Sequence, residues 1–161
     1  LPNPWAWLAY AAATACGVAG FAIIFNSSPR MLAWAVALGV VGNLCRLALV
    51  GANLPAQLAA GVGGLAIGFL ASPLSVRTKL PRITLTVPAC VIMVPGASMY
   101  RTVYWLNAQD MAKALTFGAD AVLTLVLIAC GLAVARMCTD PAWAHNLPIP
   151  SPHAFKFSEK D

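Results

Sequence analysis

A carboxylate, Asp120, stands inside an apolar stretch of this 161-residue chain that begins near residue 114. If that stretch is helical, Asp120 lies about 9 Å from its start. A charged side chain at the centre of a bilayer costs on the order of 3 kcal/mol, and less towards its edge. Such a group is retained when it forms an ion pair, lines a cavity or carries a proton. We therefore interpret Asp120 as a candidate proton-coupling residue, and an ion pair with Arg46 or Arg101 is the alternative.

Two further polar side chains share one face of an earlier apolar stretch. Asn43 and Arg46 are three residues apart, and Gly39 lies four residues before Asn43, so all three fall on one helical face. A face that is both small and polar suits the interior of a helix bundle, where it can contact a substrate. The alternative is that Arg46 extends its long side chain to the nearby membrane surface.

The stretch 86-TVPACVIMVPGASMYR-101 combines apolar residues with two prolines and a glycine. Pro95 lacks a backbone donor, and Gly96 adopts conformations that are closed to other residues. In a bilayer, a broken backbone persists only inside protein or beside a water-filled cavity, and transporters place substrates at such breaks. A helix restarting after Gly96 would direct its positive end at the break and favour a carboxylate. We expect Pro95 and Gly96 to line a polar, substrate-binding cavity, and a kink for helix packing alone is the other interpretation.

Arg101 follows the break and completes the expected cavity. We expect it to border the cavity together with Asp120 and to attract an anionic substrate. Its neighbours Tyr100, Tyr104 and Trp105 are typical of an aromatic belt, which places Arg101 close to the outer surface of the membrane.

Groups for enzymatic or metal chemistry are missing from the apolar stretches. Neither histidine, His145 nor His153, lies in one, and no Gly-x-Ser-x-Gly or Gly-x-x-x-x-Gly-Lys sequence occurs. The five cysteines form no Cys-x-x-Cys pair, and we interpret them as small apolar packing residues. The sequence therefore predicts no enzyme, no cofactor and no metal site.

The composition is that of a membrane protein. Hydrophobic residues make up 60% of the chain and charged residues only 9%, whereas soluble domains carry roughly a quarter charged residues. Runs of about 18 or more residues without charge indicate membrane spans. The sequence predicts an all-α, polytopic helical membrane protein in which proline and glycine break the fourth span. The five spans cover roughly residues 5–25, 31–50, 57–74, 83–106 and 114–135.

Two regions are predicted along the chain. Residues 1–136 form the five-span transmembrane domain, and residues 137–161 form a proline-rich polar tail. Because Pro148, Pro150 and Pro152 alternate with other residues, we expect this tail to be extended or disordered.

Lysine and arginine are distributed unequally between the two sides of the predicted spans. One side holds Arg46, Arg101 and Lys113, and the other holds Arg30, Arg77, Lys79, Arg82, Arg136, Lys156 and Lys160. Cytoplasmic loops carry the excess of basic residues. We therefore expect the N-terminus outside and the C-terminus in the cytoplasm.

Small residues recur at helical spacing in the third span. Ala60, Gly64 and Gly68 are four residues apart, and this spacing lets two membrane helices approach closely. We expect this face to be a helix-packing face, with its partner helix in this chain or in another.

Two segments together resemble a known family of transporters. The segment 20-GFAIIFNSSPRMLAWAVALGVVGNLCR-46, followed by 85-LTVPACVIMVPGASMYR-101, is similar to the threonine/serine exporter (ThrE) family. More closely it resembles the small YjjB-like subunits, which match the C-terminal half of full-length exporters. The features that carry the resemblance are Phe25-Asn26, Arg30, the glycines of span two, Val94-Pro95-Gly96 and Tyr100.

The resemblance implies a subunit of a secondary transporter in the bacterial inner membrane. Family members export threonine and serine, or dicarboxylates such as succinate, together with a larger membrane partner that has a cytoplasmic domain. We therefore expect this chain to bind a small anionic or zwitterionic substrate, the partner subunit and lipid, but no nucleic acid. Assembly into a homo-oligomer is also possible on this view. A non-transporting assembly or scaffold subunit is the alternative function.

Overall fold

The computed structural model describes residues 4–140, and these residues form helices joined by short turns without any strand. The prediction of an all-helical protein is therefore confirmed. The helices are α1 (Pro4–Ile24), α2 (Pro29–Gly51), α3 (Ala56–Thr78), α4 (Arg82–Val91), α5 (Gly96–Asn107) and α6 (Met111–Thr139).

Four of these helices, α1, α2, α3 and α6, are long and apolar enough to cross a membrane. The helices α4 and α5 are too short individually, but they meet at a 54° bend across residues 92–95, and counted as one unit they give a fifth, broken candidate span. The predicted break in the fourth span is thus confirmed. Helix α6 continues to Thr139, which is beyond the expected boundary of the transmembrane domain at residue 136. Residues 141–161 of the proline-rich tail lie outside the described residues.

The turns after α1, α2, α3 and α5 each contain a residue with left-handed backbone conformation. These residues are Asn26, Asn53, Lys79 and Gln109, with φ between 53° and 66°. A left-handed residue just beyond a helix end reverses the chain sharply. Short turns of this kind hold consecutive helices antiparallel, so that the spans alternate in direction.

Helix α6 begins with a charged cap at Asp110. The Asp110 carboxylate accepts a hydrogen bond from the backbone N–H of Lys113 at 3.2 Å. It also forms an ion pair with Lys113 Nζ at 2.8 Å. The hydrogen bonds from the Lys113 side chain and backbone hold the pKa of Asp110 below its ordinary value. A carboxylate at a helix N-terminus also opposes the positive end of the helix, and so the cap stabilises the start of α6.

Helix α3 lies at the centre of the bundle and packs against α6, α2 and α4. Helix α1 packs against α2 and α4, whereas the main neighbour of α5 is α6. Glycines bring α3 and α6 close together: a Cβ added at Gly64 would lie 3.1 Å from the backbone oxygen of Ile128, and one at Gly68 would lie 2.5 Å from Ala135 Cβ. Ala60 is fully buried. The structure thus places the small face of α3 against α6 of the same chain.

The side chains of the break between α4 and α5 pack into the neighbouring helices α1, α2 and α3. A Cβ at Gly17 would overlap Ile92 Cδ1, and Met93 lies against Gly42 and Gly63. Met93 is only 1% exposed. Three glycines from three different helices therefore make room for the bend, which anchors the start of α5.

Candidate functional site

Pro95 makes the break in the fourth span. Its backbone, at φ −79° and ψ 63°, forms an inverse γ-turn, and Gly96 N donates to Val94 O at 2.8 Å. A proline has no N–H to continue the α4 hydrogen-bond ladder. Helix α5 therefore restarts immediately after Pro95, and no side chain caps its N-terminus.

Gly96 has a smaller role than the sequence suggested. No glycine among residues 4–140 has a positive φ, and a Cβ added at Gly96 would meet nothing within 4 Å. The expectation that Gly96 supplies a conformation closed to other residues is wrong, because the inverse γ-turn at Pro95 bends the chain and Gly96 is already helical.

Gly96→Ala is accordingly expected to leave folding intact. Alanine is the better helix former by about 1 kcal/mol, so the melting temperature should stay constant or rise slightly. Thermal unfolding of the purified variant checks this. A clear loss of stability would show that the open space beside Gly96 is needed.

Asp120 lies where three helices meet, at the level of the break. Its Oδ1 accepts a hydrogen bond from Gln57 Nε2 of α3, and its Oδ2 accepts one from Ser98 Oγ of α5 at 2.8 Å. Ser98 belongs to the first turn of α5, so the carboxylate stands beside the positive end of that helix. Asp120 is half-buried. An amide, a hydroxyl and a helix terminus therefore hold one carboxylate inside the apolar region.

Asp120 does not form the ion pair that the sequence left open. Within residues 4–140, the ion pairs closer than 4.0 Å are Lys113–Asp110 and Arg136–Asp140. Neither Arg46 nor Arg101 bonds to the Asp120 carboxylate. The partners of Asp120 are neutral donors, which leaves its charge without a fixed counter-ion in the described part of the chain.

Asn43 and Arg46 belong to a separate polar cluster between α1 and α2. Arg46 Nη1 donates to Asn43 Oδ1 at 3.4 Å, and Asn43 Nδ2 donates to Thr14 Oγ1 at 2.8 Å. Asn43 is buried, and Arg46 Nε is buried without a hydrogen-bond partner. The Arg46 side chain therefore turns towards Asn43 in the interior, as their three-residue spacing allows. Within the described residues no hydrogen bond joins this cluster to Asp120.

Arg101 lies on the exposed surface of α5. Its guanidinium stands 5.4 Å from the centre of the Phe117 ring on α6, and its neighbour Tyr100 is 72% exposed. Tyr104 and Trp105 form an edge-to-face pair on the same helix. Among the described residues Arg101 makes no hydrogen bond or ion pair with Asp120. The cation–π contact of Arg101 joins α5 to α6 at Phe117, one helical turn from Asp120, without a direct bond to that carboxylate.

Sequence reasoning missed the residues that complete these clusters, namely Gln57, Ser98 and Thr14. Each is a small or neutral polar residue in an apolar helix, which was the available signal. The partners are distant in sequence: Gln57 lies 63 residues and Ser98 22 residues from Asp120. Helical spacing identifies a face, but it does not identify which helix covers that face.

Comparison with protein families adds the decisive observation. The family described as "Threonine/Serine exporter, ThrE" matches residues 10–138, which are most of the chain. The chain belongs to the threonine/serine exporter family. The match includes α2, the break at Pro95 and Asp120, so the site described above lies inside the exporter domain. The resemblance drawn from the segments around Arg30 and Pro95 is thereby confirmed.

A curated relative of this exporter-family chain is an uncharacterized protein of Haemophilus influenzae (strain ATCC 51907 / DSM 11121 / KW20 / Rd). It is 34% identical over 82 residues, which are 51% of this chain and 28% of the relative. The match therefore spans little more than a quarter of that protein's length. No solved structure matches the chain.

Proposed function

We propose that this chain is a membrane subunit of a secondary transporter that exports small amino acids such as threonine and serine. Family membership supports a threonine/serine exporter-type transporter. The observation that carries the proposal is the Asp120 carboxylate, held by Gln57 and Ser98 beside a broken span. An ionisable group inside a membrane is typical of a substrate or proton pathway.

Proton binding at Asp120 would change its two hydrogen bonds differently. A serine hydroxyl both donates and accepts, whereas an amide NH₂ only donates. A protonated Asp120 with its proton on Oδ2 can keep its contact with Ser98 by donating to Ser98 Oγ. Its Oδ1 still accepts from Gln57 Nε2, but that hydrogen bond is weaker because the acceptor is no longer charged. The link between α3 and α6 at this point would weaken, while the link between α5 and α6 would remain. We propose this difference as the local step that couples a proton to movement of the helices.

The charges at the site favour a zwitterionic substrate. The uncapped N-terminus of α5 suits a carboxylate, and the neighbouring Asp120 carboxylate suits an ammonium group. A dicarboxylate such as succinate would place its second negative charge against Asp120 unless that residue were protonated. Of the two substrate classes that the resemblance implied, the amino acids fit better.

The proposal includes a larger membrane partner with a cytoplasmic domain and its own spans. An odd number of spans puts the two ends of a chain on opposite faces, and paired units of reverse orientation build many secondary transporters. We further propose that the chain lies in the bacterial inner membrane with its N-terminus outside, because the turns at Arg30 and Lys79 and the end of α6 lie on the more basic side.

Deletion of the gene in its native host tests the proposal. Cells preloaded with a threonine-containing dipeptide should retain threonine inside, and expression of this chain should restore efflux severalfold. Succinate efflux, measured in the same cells, distinguishes the two substrate classes. If the deletion changes neither efflux, the transport proposal is wrong. If overproduction of the partner in the deletion strain restores full efflux without this chain, the chain is a scaffold subunit at most.

A further inference from the structure

A groove of about 680 Å³ runs between α4 and α6 at the basic end of the bundle. Both helices pack on α3, and Gly68 of α3 forms part of the groove lining. Among the described residues, α4 is short, its span bends at residue 92, and it packs mainly against α2 and α3 rather than against α6. The groove is therefore a gap in the wall of the bundle.

Two guanidinium groups line this groove, and the structure holds the first of them in place. Arg82 Nη2 donates to Gly68 O at 2.7 Å, and its Nη1 donates to Thr139 Oγ1 at 2.8 Å. Arginine has five N–H donors, so further donors remain for a ligand. Arg136 is the second cation, and its side chain is 57% exposed, with Asp140 3.9 Å away. Arg82, Arg136 and Asp140 together carry a net positive charge.

Most of the remaining groove lining is apolar. It consists of Pro81, Ile83, Leu132, Ala133 and Met137, with Thr86 as a polar exception. The other cations at this end of the bundle are Arg30, Arg77 and Lys79, and Asp140 is the acid found there among the described residues. The groove thus combines a fixed cationic rim with an apolar wall at the level where a membrane helix meets the lipid head groups.

We infer that this groove binds one acidic phospholipid, with its phosphate between Arg82 and Arg136 and an acyl chain along Leu132 and Met137. Arginine binds phosphate through charge-assisted hydrogen bonds, and basic pockets between membrane helices suit anionic head groups. A zwitterionic lipid fits less well because its cationic head group would meet a net positive rim. This site is distinct from Asp120, and its lipid would brace α4 against α6 beside the broken span.

Native mass spectrometry of the purified full-length chain tests this inference. Phosphatidylglycerol and phosphatidylcholine with identical acyl chains are added separately. We expect one phosphatidylglycerol per chain, retained about tenfold more tightly than phosphatidylcholine, because both lipids offer the same phosphate but the positive rim repels the choline cation. Arg136→Gln should weaken the retention of phosphatidylglycerol by a similar factor. Arg82→Gln is less informative, since Arg82 also ties α4 to α3 and α6.

Arg30→Gln is the matched control, because it removes a cation from the same end of the bundle but outside the groove. It should change lipid retention by less than about twofold, since it removes no contact with the phosphate. Equal retention of the two lipids, no effect of Arg136→Gln, or an equal effect of Arg30→Gln would each overturn the inference. Inorganic phosphate that competes fully at the same concentration would identify a free-anion site instead.

A photoreactive residue at Ala133 separates lipid from protein in native membranes. Ala133 is exposed and lines the groove, so a benzoylphenylalanine placed there should form an adduct with the mass of an acidic phospholipid. An adduct with another polypeptide would contradict the inference, because it would show that a partner helix fills the groove.

Discussion

Asp120→Asn is expected to abolish the pH dependence of threonine export and to lower its rate by about tenfold or more, the effect of losing one charge-assisted hydrogen bond. Asparagine keeps the size and one acceptor oxygen of aspartate but cannot take up a proton. The contact with Ser98 survives, so the variant should assemble normally. What it loses is the change in hydrogen bonding between Asp120 and Gln57 on which the proposed coupling depends.

Threonine efflux from preloaded cells, measured at several external pH values, checks this prediction. Asp110→Asn is the matched control, because it makes the same substitution near the N-terminal end of α6. Asp110 caps that helix and lies outside the site. It should export at the wild-type rate with unchanged pH dependence. Full export by Asp120→Asn with the wild-type pH profile would exclude a coupling role for this carboxylate.

Gly131→Ala is expected to produce the largest loss of stability. A Cβ at Gly131 would overlap Gly61 O and would lie 2.9 Å from Leu65 N. These atoms belong to the α3 backbone, so no side chain can move aside and the two central helices must separate. Overpacking of this kind costs about 1–3 kcal/mol.

Thermal unfolding in detergent, followed by size-exclusion chromatography, measures this loss. The melting temperature of Gly131→Ala should fall by several degrees. Gly20→Ala is the control, because a Cβ there meets nothing within 4 Å and alanine favours the helix. The variant should melt at the wild-type temperature or slightly above it. Identical melting of the two variants would show that α3 and α6 are not held in contact at Gly131.

The helices and the break could be predicted because they depend on local chemistry. Charge-free apolar runs mark the spans, since a bilayer excludes charge over a fixed thickness. The missing donor of Pro95 favours a break in the fourth span, although Pro73 and Pro88 lie inside α3 and α4 without ending them. The role of Gly96 was misjudged, because a glycine next to a proline suggests a special conformation that the inverse γ-turn makes unnecessary.

The contacts of the site could not be predicted, because they join residues that are distant in sequence. Helical spacing placed Asn43 and Arg46 on one face, but it did not reveal Thr14 as their neighbour. The depth of Asp120 in its span was readable, whereas Gln57 and Ser98 reach it from two other helices. The position of Gly131 could have been noticed in the sequence, because it recurs at helical spacing with other small or apolar residues. The structure shows this face of α6 to be buried, and it comprises Ala121, Thr124, Ile128, Gly131 and Ala135.

A direct test of proton-coupled export uses inside-out membrane vesicles from the native host. Respiration acidifies their interior, and a pH-sensitive dye reports the gradient. If this chain is part of a proton-coupled exporter, added threonine should dissipate the gradient in wild-type and Asp110→Asn vesicles, but not in deletion or Asp120→Asn vesicles. Equal dissipation by threonine in wild-type and Asp120→Asn vesicles, with equal amounts of protein in the membrane, would contradict the account.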